Sequence, residues 1–492
     1  MRLQVRLSSR AFALALATAL LPIFSACVNV PAIVPRHQPA FDSVLGLDEQ
    51  ALTPALGVAW WQVFGDAKLD ALVQRALESN PGLQLAAARV ERASALAEAA
   101  GALGKPATGL GLDATRQRYS EHGLLPPPIA GSVRTSVNLQ AGVSWEFDFF
   151  GRNRAQLRAA LGAERAVAAE SQAAAMLLSS QVVRGYVGLA RWLEQRALLQ
   201  AQLRLREQAA ELVAQRVAAG LDTHLELHQA QTPLPELRRQ RQALDEQISL
   251  ARHQLAALSA QSMDALDALV PGLPQLPRKL TDVANASLAL DLLGRRPDVA
   301  AARWRVEAAT ADVSAARAQF YPNLNLNAFA GFSSIGLDNL LRAGSLQAGI
   351  GPALRLPIFD TGRLRAQLHG NVAELDAAVA SYNASVVQAV HEASDALASV
   401  RSLGVQAGEQ DLALRNAVGA RELARQRQAA GLANGLALIN ADLAVLTQQR
   451  ALADVQAQTL DSHVALIRAL GGGWHSAMTQ SASDTSKQRS TP

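Results

Sequence analysis

Paired histidines, repeated glutamates and a single cysteine are the residues of this chain whose types and spacing could do chemistry. His224 and His228 stand one helical turn apart, with Asp222 and Glu226 beside them. That spacing can hold a metal ion on one face of a helix. A solvated helix end is the plainer reading, and no metal ligand is assigned. Glu91 and Glu307 invite an acid–base pairing, but each follows an Arg-Val pair, Arg89-Val90 and Arg305-Val306. They occupy equivalent places in two copies of one pattern and so fill one structural role twice. The sequence holds no H-E-x-x-H, G-x-x-x-x-G-K-[ST], C-x-x-C or G-x-S-x-G. No catalytic residue and no cofactor is expected, and with no nucleotide site any energy source lies in partner proteins.

Cys27 is the only cysteine, so it makes no internal disulfide. Arg2, Arg6 and Arg10 precede an apolar run that ends at Ala26. A basic start, an apolar stretch and small residues before a cut site make residues 1–26 a signal peptide. Phe24-Ser25-Ala26 resembles a bacterial lipobox, departing from it at Phe24, where Leu is usual. Cys27 is then the lipidated first residue of the mature chain, and residues 27–66 form a lipid-anchored N-terminal segment. A plain signal peptide, or an apolar anchor drawn on to Val34, are the alternatives. The 492 residues are 49% hydrophobic but only 4% aromatic, an Ala-rich balance suited to long helices rather than a large globular core. The net charge of +4 comes with arginines interspersed among acids, which argues against nucleic-acid binding.

The elements that position these residues come from an internal duplication. Pro81–Pro106 and Pro297–Pro322 share 11 of 26 residues at a constant offset of 216, and Gln215–Gln231 and Gln426–Asp442 share 9 of 17 at an offset of 211. The first repeat spans residues 67–261 and the second 291–470. Neither 152–219 nor 363–430 contains a proline. Each is expected to be one helix about 100 Å long, ended by Gly220 or Gly431 as a C-cap. Return helices follow over 222–259 and 434–470, the first broken or kinked at Pro233 and Pro235. Residues 471–492 read as a disordered tail.

Between the helices, the apolar residues fall into alternation. Val137, Leu139, Ala141, Val143, Trp145, Phe147 and Phe149 take one face of a strand over 135–150. Leu324, Leu326, Ala328, Ala330 and Phe332 do the same within 322–333, and Leu346, Ala348, Ile350, Leu354, Leu356 and Ile358 within 345–359. The stretch 107–119 is a weaker fourth, with a proline-rich loop after it. Alternating segments of about ten residues with aromatic flanks suit an outer-membrane barrel wall. A half-buried sheet in a soluble domain is the alternative. Four strands do not close a barrel, so identical chains must share one.

Together with "WWQVFGDAKLDALVQRAL" from Trp60, "LLGRRPDVAAARWRVEAA" from Leu292, "FYPNLNL" from Phe320, "LPIFDTGRLRA" from Leu356 and the two "AAGL" tips, the chain resembles a TolC-like outer-membrane factor of the NodT-type lipoprotein branch, over about residues 59–470. The resemblance implies a mixed but mainly α fold: a homotrimer whose 12-stranded β-barrel, four strands per chain, continues as a helical periplasmic barrel with an equatorial belt that includes residues 262–290. It implies the channel of a tripartite efflux system, working with a periplasmic membrane-fusion adaptor and an inner-membrane pump of the RND type. A type I secretion duct, or a periplasmic scaffold or adaptor, are the alternatives. The tips Ala219-Gly220-Leu221 and Ala430-Gly431-Leu432 are expected to dock the adaptor. In the family, acidic side chains after the second tip ring the closed end. Ala437 and Asn440 hold those positions here, and Glu226 and Gln229 the equivalent ones after the first tip. Closure is then expected from packing of Leu436, Leu438 and Ile439, with hydrogen bonds from Asn440 and Gln229.

Overall fold

The structure is a computed structural model, and it describes residues 31–37, 39, 57–275, 296–472 and 474. Cys27, the signal segment, residues 276–290 and the tail beyond 474 lie outside the described residues. Helices α1 (Ala67–Ser79) and α2 (Pro81–Ala102) precede strands β1 (Ala107–Arg118) and β2 (Val133–Phe147). The first long helix, α3 (Arg152–Ala218), turns back as α4 (His224–Gln231) and α5 (Pro233–Ser259), and short α6 (Met263–Asp267) follows. The second repeat supplies α7 (Pro297–Ala318), β3 (Asn323–Ile335), β4 (Leu346–Arg355), the long α8 (Thr361–Ala429) and its return helix α9 (Gly435–Ala469). No helix among the described residues is long and apolar enough to cross a membrane.

Two strands stop short of their sequence pattern, for local reasons. β2 ends at Phe147 because Asp148 turns to the start of α3, where its carboxylate accepts the amides of Asn153 at 3.1 Å and Arg154 at 2.9 Å. β4 ends at Arg355, since Pro357 has no N–H to continue a ladder. The first return helix starts at His224 rather than 222, because Thr223 is its N-cap. It is interrupted at Thr232, before the two prolines.

Contacts divide the chain into two compact units that do not follow the repeats; each takes parts of both, and α3 and α8 run from one unit into the other. One unit contains the sheet. Its helical core is α7 and the turn after it against α8, through Ala309, Val313 and Ala316 of the helix and Phe320 of the turn, clustered with Leu364, Leu368, Val372, Leu375 and Val379. The α8 residues recur every three or four positions, so one stripe is buried. At Gly162, a Cβ would come within 3.1 Å of Ala308 backbone, so glycine lets α3 and α7 approach closely. Arg165 stacks over Trp304, 4.7 Å from the ring centre.

The other unit buries Leu69, Leu72, Val73 and Ala76 of α1 with Val182, Val183, Tyr186 and Leu189 of α3 and Leu460, Val464 and Ile467 of α9. Asp66 joins local and tertiary order: it caps α1 through the amides of Lys68 and Leu69, and it accepts the Tyr186 hydroxyl at 2.6 Å. Burial, then this bond to a carboxylate, hold the Tyr186 phenol neutral far above the usual range. Along α3 and α9, Arg184 pairs with Asp461, Arg191 with Asp454, and Gln195 with the Arg450 backbone and side chain. Arg296, only 7% exposed, grips Asp298 through two nitrogens at 2.7 and 3.1 Å and Glu392 at 3.0 Å, and it donates to the Ala469 carbonyl at 3.4 Å. Burial opposes these charges, yet the pairing outweighs it: Asp298 and Glu392 sit below the usual carboxylate range and Arg296 above its own.

Candidate functional site: a two-faced strand wall and two helical tips

The four strands form one antiparallel sheet in the order β1-β2-β3-β4. Because strand side chains alternate, register decides which residues share a face. Leu112 of β1 pairs with Leu139 of β2, Leu139 with Phe332 of β3, and Phe332 with Leu346 of β4. That row and its neighbours two residues away make an apolar face. Leu110, Leu112, Leu346, Ile350 and Leu354 stand more than half exposed on it. The other face carries Asn138 beside Ser333, Gln140 beside Gly331, and Glu146 beside Asn325. Gln347 donates to the Asn138 side chain across the strands at 2.8 Å. β1 and β4 each pair on one side only. A sheet that exposes large apolar side chains in a continuous band on one face, over a polar opposite face, has the pattern of a membrane wall.

Both tips close by the same backbone device. At the first, Leu221 N–H donates to the Arg216 carbonyl at 2.8 Å and Gly220 N–H to Val217 at 3.0 Å. At the second, Leu432 donates to Arg427 at 2.8 Å and Gly431 to Gln428 at 2.9 Å. Gly220 and Gly431 have φ of +71° and +75°, the left-handed conformation that a glycine after a helix supplies. In such a turn the following apolar residue commonly packs back on the helix. Here Leu221 is 67% and Leu432 71% exposed.

The side chains differ. Arg216 clamps Asp222 through two bonds of 2.7 and 2.9 Å. Thr223 and Glu226 form a reciprocal capping box in which Glu226 accepts the Thr223 amide at 2.9 Å as well as its hydroxyl. The hydroxyl bond leads in holding the Glu226 carboxyl below its usual range. At the second tip Ala433 stands in place of Asp222, and Asn434 alone caps α9 through the Ala437 amide at 3.0 Å. A Cβ at Gly435 would lie 3.4 Å from Leu212, so this tip starts its return helix against α3.

Of the residues expected at the closed end, Leu436, Leu438 and Ile439 are half-buried, while Ala437, Asn440, Glu226 and Gln229 are exposed. Asn440 and Gln229 make no side-chain hydrogen bond among the described residues. Glu226 is held by Thr223 through one of its two carboxylate oxygens. His224 and His228 are exposed on α4, and no group of three or more potential ligands among the described residues is placed to hold a metal ion. Sequence reasoning missed the Arg216–Asp222 clamp, although opposite charges six residues apart across a Gly turn were its signal. It also missed the knot around Arg296, whose partners lie up to 173 residues away.

The family described as outer membrane efflux protein matches residues 72–261 and 288–472. The chain belongs to this family. It is 32% identical over 428 residues to the multidrug resistance outer membrane protein MdtQ of Escherichia coli, which covers 84% of this chain and 88% of that protein. Identity to MdtP of Shigella flexneri is also 32%, over 431 residues, 85% of this chain and 87% of that one. Among solved structures, the outer membrane protein VceC of Vibrio cholerae superposes with a TM-score of 0.76 at 35% identity, covering 85% of this chain and all of that one. An outer membrane efflux protein of this fold is an efflux channel of the outer membrane, and its mainly helical chain with one small antiparallel sheet is the family's architecture.

Proposed function

We propose that three copies of this chain close one barrel and form a passive duct for small drug-like or otherwise toxic molecules. One observation carries this reading: the sheet is apolar on one face and polar on the other, and both of its edges are unpaired. Open strand edges are not tolerated in hydrocarbon, and four strands are too few to close on themselves. Cyclic assembly solves both problems, and three copies supply twelve strands. The apolar face then meets lipid and the polar face lines water. The names of the relatives, multidrug resistance proteins, support the cargo class.

The exposed Leu221 and Leu432 fit docking of a periplasmic adaptor, through which an inner-membrane pump of the RND type supplies the energy. Cys27, lipidated, holds the start of the chain at the membrane. Packing of Leu436 and its neighbours, with Ala437, Asn440, Gln229 and the cap-bound Glu226 around them, narrows the periplasmic end without a carboxylate ring. A duct of this kind makes and breaks no bond, so no residue is catalytic. Native mass measurement of detergent-extracted protein is expected to show three chains, each carrying lipid at Cys27, and the same sample should conduct ions across a planar bilayer. A folded monomer in lipid would overturn the reading.

A further inference from the structure

The polar face of the sheet holds one aromatic residue. In the register, Gly109 of β1 pairs with Gly142 of β2, Gly142 with Phe329 of β3, and Phe329 with Gly349 of β4. This row of four positions therefore contains three glycines and one phenylalanine. The rows on either side carry Ser144, Asn327 and Gly351, and Gln140, Gly331 and Gln347. Phe329 is the seventh residue of the 13 in β3, midway along the strand.

The glycine beside it is there for the ring. Gly349 is not among the glycines with positive φ, so its backbone suits any residue. A Cβ built on it, however, would fall 2.7 Å from Cε1 and 2.8 Å from Cζ of Phe329. The ring lies over β4 in the space that a side chain at 349 would need. Covering a glycine stabilises a sheet, and that alone would account for an aromatic residue here. It does not account for the placement on the polar face of an apolar ring that stays 38% exposed, with no other side chain in its row.

We propose that Phe329 is a contact site for cargo in the lumen, and that it selects for compounds with a planar aromatic face. The proposal rests on the duct reading, in which this face lines water. Three chains would place three such rings at one level, each an apolar step in a wall of amides, hydroxyls and bare backbone. A flat ring over a glycine floor offers its face to another ring, and aromatic pairs gain from that geometry beyond their buried area. A contact of this size changes a residence time by roughly three- to tenfold.

Single-channel recordings in planar bilayers test this, with tetraphenylphosphonium as the aromatic probe. Transient block by the probe is expected in wild type, with residence times three- to tenfold shorter in Phe329→Ala and in Phe329→Leu, which keeps the glycine covered without an aromatic face. Phe332→Ala, on the opposite face, should leave them unchanged. A leucine variant equal to wild type would overturn the aromatic selectivity, and unchanged residence times in both variants would overturn the contact. Conduction by wild type with unchanged block removes the contact alone, whereas wild type that carries no current removes the duct and the contact together. Phe329→Trp reads the geometry independently of block: the fluorescence it adds to that of the six native tryptophans, taken as the difference from wild type, should be quenched by iodide in water and not by brominated lipid, and the reverse would place the ring outside the lumen and refute the proposal.

Discussion

The two tips solve one problem with different means. Each must reverse a helix of nearly 70 residues, and each does so with a glycine at positive φ and two backbone bonds of matching length. Around that shared turn, the first adds the Arg216–Asp222 clamp and the capping box of Thr223 and Glu226. The second adds only the Asn434 cap and continues as one helix of 35 residues. The first return path is broken at Thr232 and so has less cooperative support of its own. The charged clamp sits where the helix behind it is weakest. The two copies thus share the backbone turn and differ in the side chains that brace it.

The largest expected effect concerns what the tips share. Changing Leu221 and Leu432 together to Asp should abolish export through the proposed duct, while the amount of membrane-bound trimer stays constant. Either single change should give a partial loss, since the two leucines are similarly exposed. Unchanged export in the double variant would mean that the tips carry no partner.

A smaller effect tests the equality of the turns. Gly220→Ala and Gly431→Ala should each cost about 1 kcal/mol of local stability, because both positions are left-handed. Hydrogen exchange at the amides of Leu221 and Leu432 reports the local opening directly. A cost confined to one tip would break the equivalence of the two backbones.

The smallest effect separates the tips by charge. Hydrogen bonds from Arg216 and from Thr223 are the leading causes that hold Asp222 and Glu226 below their usual range. Carboxyls lowered on folding contribute order above their ordinary pKa, about 4, and lose it as the pH falls through the lowered value. A spin label at Ala219 should thus become more mobile on acidification below pH ~4, and one at Ala430 should not. Arg216→Ala should give the first label part of that added mobility at neutral pH, since the capping box of Thr223 and Glu226 remains. Equal responses at both tips would show that the clamp contributes nothing to order there.

How far the sequence could be read followed from the range of each interaction. Alternation from Val137 to Phe147 is a local signal, and it gave the strand and its two faces. The proline-free stretches and Gly220 and Gly431 are local too, and they gave both long helices to within two residues at each end. Strand ends were less legible because Asp148, still in phase with the pattern, serves a helix instead. The closed end was read through a family pattern, which cannot reveal that Glu226 is held by its own cap. The Arg296 cluster joins residues far apart in sequence, and no periodicity announces such a partner. Phe329 is out of phase with Ala328, Ala330 and Phe332, so alternation alone puts it on the other face of β3, and register adds the glycines on either side of it.

Arg296 also bears on how the protein is made. Its guanidinium holds the first residues of α7, the middle of α8 and the last carbonyl of α9 in one grip. The chain emerges from its N-terminus onward, so the opening turn of the second repeat waits for a partner synthesised 173 residues later. Contacts that span such separations form late, after the loops between them are closed. Loss of the final turn of α9 would therefore be felt at Arg296 as well as at the C-terminus. A nascent chain stopped just before Ala469 would already pair Arg296 with Asp298 and Glu392 and would lack only the bond that ties this pair to the end of α9.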